Sequence, residues 1–173
     1  MCIRDRSDLY SELLVKKEKT MKDNLIKVGA IGLTALLVLA GLFIHPLALL
    51  PAIILGVVSY LFIIPKTDLE YEYLFVNGEM DIDMIMAKSK RKKAGSFRLS
   101  ETDIVAPMDS HRLDYYKNNQ KLKVLDFSSG NEKNKRYGVV TRNEKESCMI
   151  IIEPDENMAK AIKNSAPSKV FLD

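Results

Sequence analysis

From position 28 to position 64 the chain carries no Asp, Glu, Lys or Arg, and every formal charge lies outside that stretch. Val28 to Ile44 is one apolar run and Leu47 to Ile64 is another, with His45-Pro46 between them. Each run is close to the lower limit for a helix that crosses a bilayer core. Backbone in hydrocarbon must close its own hydrogen bonds, so two helices are expected. The link between them is short, which makes them antiparallel neighbours, and Pro46 suits a first helical position. If Pro51 began the second helix, only about 14 residues would remain, and a re-entrant hairpin would replace a full crossing. Ala48, Ala52 and Gly56 recur every fourth residue. Such a stripe permits close helix contact, either with the first helix of the hairpin or with a second copy. Ahead of the hairpin, Leu9, Tyr10, Leu13 and Leu14 share one helical face. The basic segment 7–27 is therefore expected to hold a short amphipathic helix or a frayed helical lead-in.

Beyond the hairpin the period changes from helical to alternating. Asn77-Gly78 is a two-residue hairpin turn of the type I′ kind. With that turn, Val76 lies opposite Glu79, Phe75 opposite Met80, Tyr73 opposite Ile82, Tyr71 opposite Met84 and Leu69 opposite Met86. A slip of one residue would break the apolar match. The other face carries Glu70, Glu72, Glu79, Asp81 and Asp83. Glu72 falls across from Asp83, an unfavourable like-charge pair. Arg98, or the run Lys88 to Lys93 folding back, is the expected counter-charge, ahead of a bound cation or a basic partner. Further strands are expected at Ser96 to Leu99, Asp103 to Pro107, Lys121 to Phe127, Arg136 to Thr141 and Cys148 to Glu153. The last is apolar on both faces and needs cover on both. A helix over 154–166, opened by Pro154, Asp155 and Glu156 and stopped before Pro167, is expected to supply that cover. The fold class is thus an α+β membrane protein: a helical hairpin followed by a mostly antiparallel β domain with a C-terminal helix.

Charge sets orientation. Lys16, Lys17, Lys19, Lys22 and Lys27 precede the first helix, and Lys66 with Lys88, Lys90, Arg91, Lys92 and Lys93 follows the second. The hairpin tip carries only His45. The positive-inside rule places both termini in the cytoplasm of a multi-pass protein of the cytoplasmic membrane. The net charge of +3 on 173 residues is too small to suggest nucleic-acid binding. Cys2 and Cys148 are far apart and form no metal or disulfide framework. Met1 to Arg6 resembles a translated sequencing adapter, so 1–6 is set aside as a non-native leader.

The strand count and final helix resemble a pleckstrin-homology-type barrel. More narrowly, His45-Pro46-Leu47-Ala48-Leu49-Leu50-Pro51, Pro65 to Tyr73 and His111-Arg112-Leu113-Asp114-Tyr115-Tyr116-Lys117 resemble a bacterial two-helix membrane family labelled as a domain of unknown function. The resemblance implies a cytosolic PH-like domain over 67–173 behind a transmembrane hairpin over 28–64. It supplies no catalytic residue to carry over. In many pleckstrin-type domains lipid is held by the loop between the first two strands. Here that connection is the tight Asn77-Gly78 turn.

Two polar segments are candidates for contact. Lys88, Lys90, Arg91, Lys92 and Lys93, expected as a loop just below the bilayer, suit anionic lipid headgroups. They also suit reinforcement of topology or neutralisation of the acidic hairpin face. Arg112, Tyr115 and Tyr116 lie in a polar, aromatic connection that could meet a peptide or a phosphate. Ser110, His111 and Asp114, close together in one short segment, do not make a nucleophilic triad, whose members meet in space from separate parts of a chain. No cofactor, metal site or glycine-rich phosphate loop is expected. The functional expectation is a non-catalytic, membrane-anchored interaction module that contacts lipid, a protein partner or a second copy. The alternative is an accessory subunit of a larger membrane complex.

Overall fold

The structure is a computed structural model and describes residues 10–119, 122–142 and 147–173. The expected leader at 1–6, with Leu9 and Lys121, lies outside the described residues. The chain divides into two compact units, one helical (Glu18–Leu69 with Ile85–Lys90) and one rich in strands.

The helical unit contains α1, Met21–Phe43, and α2, Pro46–Lys66. At 1.5 Å per residue these are about 34 and 31 Å long, enough for a bilayer core. Only 6% and 11% of their apolar windows are buried. A core helix of a soluble domain would be mostly enclosed, so this exposed apolar surface suggests membrane association. Thr20 opens α1, its N–H donating to Asp23 Oδ2 at 3.1 Å. At the tip, His45 Nδ1 accepts from Leu47 N–H, and Pro46 starts a single tight turn, Pro46–Ala48, that opens α2 ahead of its α-helical part from Leu49. Pro51 does not shorten the helix. It sits in the first α turn, where its missing N–H would have had no helical partner. A Cβ at Gly41 would stand 2.5 Å from Leu49 Cδ2 and 3.1 Å from Leu49 N, so a larger residue there would push Leu49 aside. Within α2, Ser59–Ile63 widens to a π turn.

In the other unit, a first sheet runs β1-β2-β3-β4: Tyr10–Lys16, Leu69–Val76, Glu79–Met86 and Lys90–Arg98. The structure corrects two expectations here. Tyr10–Lys16 is a strand, not an amphipathic helix. It pairs antiparallel with β2 from Tyr10↔Val76 to Lys16↔Glu70. The physical reason is the exposed edge of β2, whose backbone groups need partners and whose inner side chains need cover. Val15 supplies that cover directly, buried opposite Tyr71, and Leu13 packs against the same core opposite Tyr73. Secondly, Lys90 to Lys93 are not loop residues but the first half of β4.

Asn77 and Gly78 have φ of 51° and 83°, as a type I′ turn requires. Tyr71, Tyr73, Phe75, Met80 and Ile82 are buried on one side, as the hairpin pattern demands. Ala87 N–H donates to Asp68 O at 2.8 Å, in the same pairing frame as Val76 and Glu79.

The second sheet has the order β5-β7-β8-β6, with β5 Thr102–Pro107, β6 Lys123–Asp126, β7 Tyr137–Arg142 and β8 Ser147–Ile152. It is not wholly antiparallel, because β6 pairs with β8 in parallel. Phe127 N–H continues that ladder to Ile151 O. Short helices follow at α3, Asp114–Lys117, and α4, Glu156–Ser165. Asp155 caps α4 by accepting from Met158 N–H at 2.8 Å. Met158 and Ile162 of α4 join Ile150, Ile152 and the first sheet's aromatics in the main core. The other face of β8 is covered by Leu113 and Leu122, which enclose Met149 and Val140. The helix alone therefore does not cover both faces. Inside the main core the Tyr73 hydroxyl donates to Phe127 O at 2.6 Å and accepts from Glu153 N–H at 3.3 Å. Glu153 in turn accepts from Ser129 N–H and from Asn134 Nδ2, which fixes the 128–134 loop. Burial pushes the Tyr73 hydroxyl well above its ordinary pKa.

Candidate functional site: two sets of cations on one strand

The basic run is sorted by strand alternation, because successive side chains on β4 point to opposite faces. Arg91 and Lys93 fall on the acidic side. Arg91 Nη2 is 2.5 Å from Glu72 Oε2, and its Nε is 3.9 Å from Asp83 Oδ2. One guanidinium thus lies between the two carboxylates that the hairpin sets opposite each other. Lys93 Nζ is 2.7 Å from Asp81 Oδ1. Hydrogen bonding to Lys93, then to Ser96, holds the Asp81 carboxyl below its usual range, and the same contact raises Lys93. Farther along, Arg98 reaches Glu79 at 3.5 Å and Glu101 at 3.6 Å. The cation of each pair is exposed to solvent, so each pair contributes little to stability. Their service is to remove the repulsion between like charges across β2 and β3.

Lys88, Lys90 and Lys92 form the second set. All three are exposed and have no ion-pair partner among the described residues. Lys88 sits on a tight turn with Ala87, where φ is 47° and 55°. Two successive non-glycine residues in the left-handed region are uncommon and strained. Sequence reasoning had no signal for this turn, since it contains no Gly or Asn.

The turn also belongs to the helical unit. Asp68 holds it there: its carbonyl takes Ala87 N–H, and its carboxylate is 3.7 Å from Lys19 Nζ. Asp68 therefore joins the segment before α1, the end of α2 and the β3–β4 turn. The sequence did not flag it, because no local motif marks such a junction.

The second candidate segment is anchored from within. Leu113 is fully buried, and a Cβ on Gly138 would meet it at 2.8 Å. Ser110 Oγ accepts from Arg112 N–H, and His111 Nδ1 pairs with Asp114 Oδ2 at 3.0 Å. The Arg112 guanidinium stacks on Phe171, 3.9 Å from the ring centre. Tyr116 packs against the second core cluster, while Tyr115 is 79% exposed and meets Tyr116 edge-on. Of the three residues named from sequence, only Tyr115 is presented freely; Arg112 and Tyr116 are engaged within the fold.

In the helical unit, Ala52 is buried and a Cβ on Gly56 would meet Thr34 of α1 at 3.6 Å. Ala48 is half-buried. The small-residue face of α2 is thus turned, at Ala52 and Gly56, to the hairpin's own partner helix. Asp81 and Asp83 are the partners of Lys93 and Arg91.

Residues 7–172 match a family described as "Bacterial PH-like domain (DUF6106)". Neither a search of curated proteins nor one of solved structures finds a match. PH-like domains are generally non-catalytic.

Proposed function

The chain belongs to that family of bacterial PH-like domains, and from this premise we propose that it is a non-catalytic interaction module held at the cytoplasmic face of the membrane. The observation that carries the reading is the β1–β2 ladder. The chain leaves the first sheet after Lys16 and re-enters it at Glu70, its direct partner across the ladder. Between them lie the apolar hairpin and its charged flanks. Two crossings with both ends pinned to neighbouring strands require both ends on one side of the bilayer. The lysines that flank those ends make it the cytoplasmic side. The hairpin is thus an insertion between the first two strands of the domain's first sheet.

Cysteine labelling tests this. In a background with Cys2 and Cys148 changed to Ser, His45→Cys at the tip should react with an impermeant maleimide added to intact cells. Tyr115→Cys on the domain should react only after permeabilisation. Reaction of both from outside, or of Tyr115→Cys alone, would overturn the orientation.

A second reading, an accessory subunit of a larger membrane complex, is favoured by Ser59. This residue is 5% exposed, and its Oγ has no hydrogen-bond partner among the described residues. It lines an apolar groove of about 520 Å³ with Thr34, Val38, Gly56 and Tyr60. A hydroxyl left without a partner in hydrocarbon is costly, and a neighbouring helix seated in the groove would relieve it if Ser59 turned toward an acceptor there. Co-purification in mild detergent that is lost in Ser59→Ala supports this reading; a lone chain in both cases removes it.

A further inference from the structure

We propose that the foot of the helical hairpin is a binding site for the headgroup of an anionic phospholipid, formed by Lys66, Lys88 and Lys90 with Lys22 at the start of α1. The inference rests on the hairpin crossing the bilayer and names what its foot would contact. Four observations lead to it. The first is placement. Residues 85–90 fall in the same compact unit as the helices, and the Ala87 N–H to Asp68 O bond fixes the Lys88 turn two residues beyond Lys66. The second is charge balance within that unit, where six cations (Lys19, Lys22, Lys27, Lys66, Lys88, Lys90) face three acids (Glu18, Asp23, Asp68). Asp23 is engaged by the Thr20 N–H and Asp68 by Lys19.

The third observation is the contrast along β4. The same run that gives Arg91 and Lys93 close carboxylate partners leaves Lys88 and Lys90 exposed with none among the described residues. If the run served only to neutralise the acidic face, the alternate positions would have no reason to be basic. The fourth is strain. Holding Ala87 and Lys88 both at positive φ is costly, and strained turns persist where their geometry is used. This turn is at the opposite end of β2 and β3 from Asn77-Gly78, so the site is not the first-hairpin loop that the pleckstrin resemblance would suggest. The occupant is a lipid rather than a soluble anion because the lysines flank the ends of two apolar helices, where phosphodiester groups are concentrated and each cation gains from the surface potential.

The test uses the full chain in a non-ionic detergent, with native mass spectrometry reading retained lipid. Phosphatidylglycerol and phosphatidylcholine are offered at equal concentration. The wild type should retain phosphatidylglycerol in preference. Lys88→Asn with Lys90→Gln should lose that preference by about fivefold per lysine removed. Asn tolerates the left-handed turn, so this variant should keep its fold, read as an unchanged thermal midpoint. Lys88→Arg with Lys90→Arg should restore retention, and Lys93→Gln should leave it intact. Equal retention of the two lipids, or equal phosphatidylglycerol retention by wild type and the Asn/Gln variant, would overturn the site. Displacement of the lipid by an equal concentration of free glycerol phosphate would likewise overturn it, by showing a soluble-anion site. Alkaline extraction of membranes separates this from failure of the anchor. A chain released by carbonate loses both readings, whereas a chain that stays in the pellet without lipid preference loses only the headgroup site.

Discussion

In the helical unit Leu36 and Ile53 stand 65% and 63% exposed, whereas Ile152 and Val139 of the second sheet are fully enclosed. The two units hold similar side chains in opposite situations. In the strand-rich unit, removal of apolar surface from water is the stabilising term, and it is collected by protein packing. In the hairpin the same surface stays exposed, which suggests membrane association; Ala52 is buried, and a Cβ on Gly41 or Gly56 would meet Leu49 or Thr34 of the facing helix. One set of residues specifies a fold, and the other specifies a solvent.

Matched substitutions break this comparison most sharply. Ile152→Ala should destabilise the domain by about 2–5 kcal/mol through lost burial and a cavity, read as a lower denaturant midpoint of the full chain in detergent. Ile53→Ala should leave that midpoint unchanged, since its side chain faces outward. Equal effects would mean that Ile53 is covered by protein.

A smaller effect is expected at the Tyr73 hydroxyl inside the main core. Tyr73→Phe removes the donor to Phe127 O and the acceptor of Glu153 N–H. About 1–3 kcal/mol should be lost, because two buried backbone groups are left without partners. A loss within error would show that water replaces the hydroxyl. No corresponding buried network is described in the hairpin, which sharpens the contrast between polar specification and apolar insertion.

The smallest effect concerns the paired outer face of the first sheet. The Asp81 carboxyl titrates lower in the folded chain than its ordinary value of 3.8, chiefly through Lys93. A depressed carboxyl pKa gives stability that is present above the unfolded pKa and is lost as pH falls through the folded one. Stability of the wild type should therefore decline from about pH 4 downward, and Asp81→Asn should flatten the decline while lowering stability slightly at neutral pH. An identical acid profile for the two proteins would show that Lys93 gives Asp81 nothing. Carried out in the full chain, the same titration should leave helix content unaffected, since positions 28–64 hold no acid, Lys or Arg.

What was legible in the sequence follows the range of the interactions. The hairpin and the Asn77-Gly78 register are local: composition alone marks the first, and a turn that needs two positive φ values marks the second. Tyr10–Lys16 was not legible, because Leu9, Tyr10, Leu13 and Leu14 fit a helical face as well. The strand is decided by an edge that arrives more than fifty residues later, at Leu69–Val76. The parallel pairing of β6 with β8 is hidden for the same reason. The basic run reads as loop from sequence, because five cations in six residues are poor strand formers. Their partners, Glu72, Asp81 and Asp83, were in view, and alternation would have assigned Arg91 and Lys93 to them. The Ala87-Lys88 turn carries no turn residue, so only its φ angles reveal it. The site's two halves were thus named from sequence as one patch and separated only by the fold.

The insertion of the hairpin between β1 and β2 can be measured directly by replacing 18–68 with a short Gly/Ser linker, so that Lys16 and Glu70 remain neighbours, and comparing it with 69–173 alone. The linked chain should be soluble without detergent and unfold in one cooperative transition, because Val15 still covers Tyr71 and β2 keeps its ladder. The shorter chain should lack that transition or aggregate through the open β2 edge. Equal cooperative unfolding of the two would contradict the account, since β1 would then be an ornament rather than the first strand of the domain.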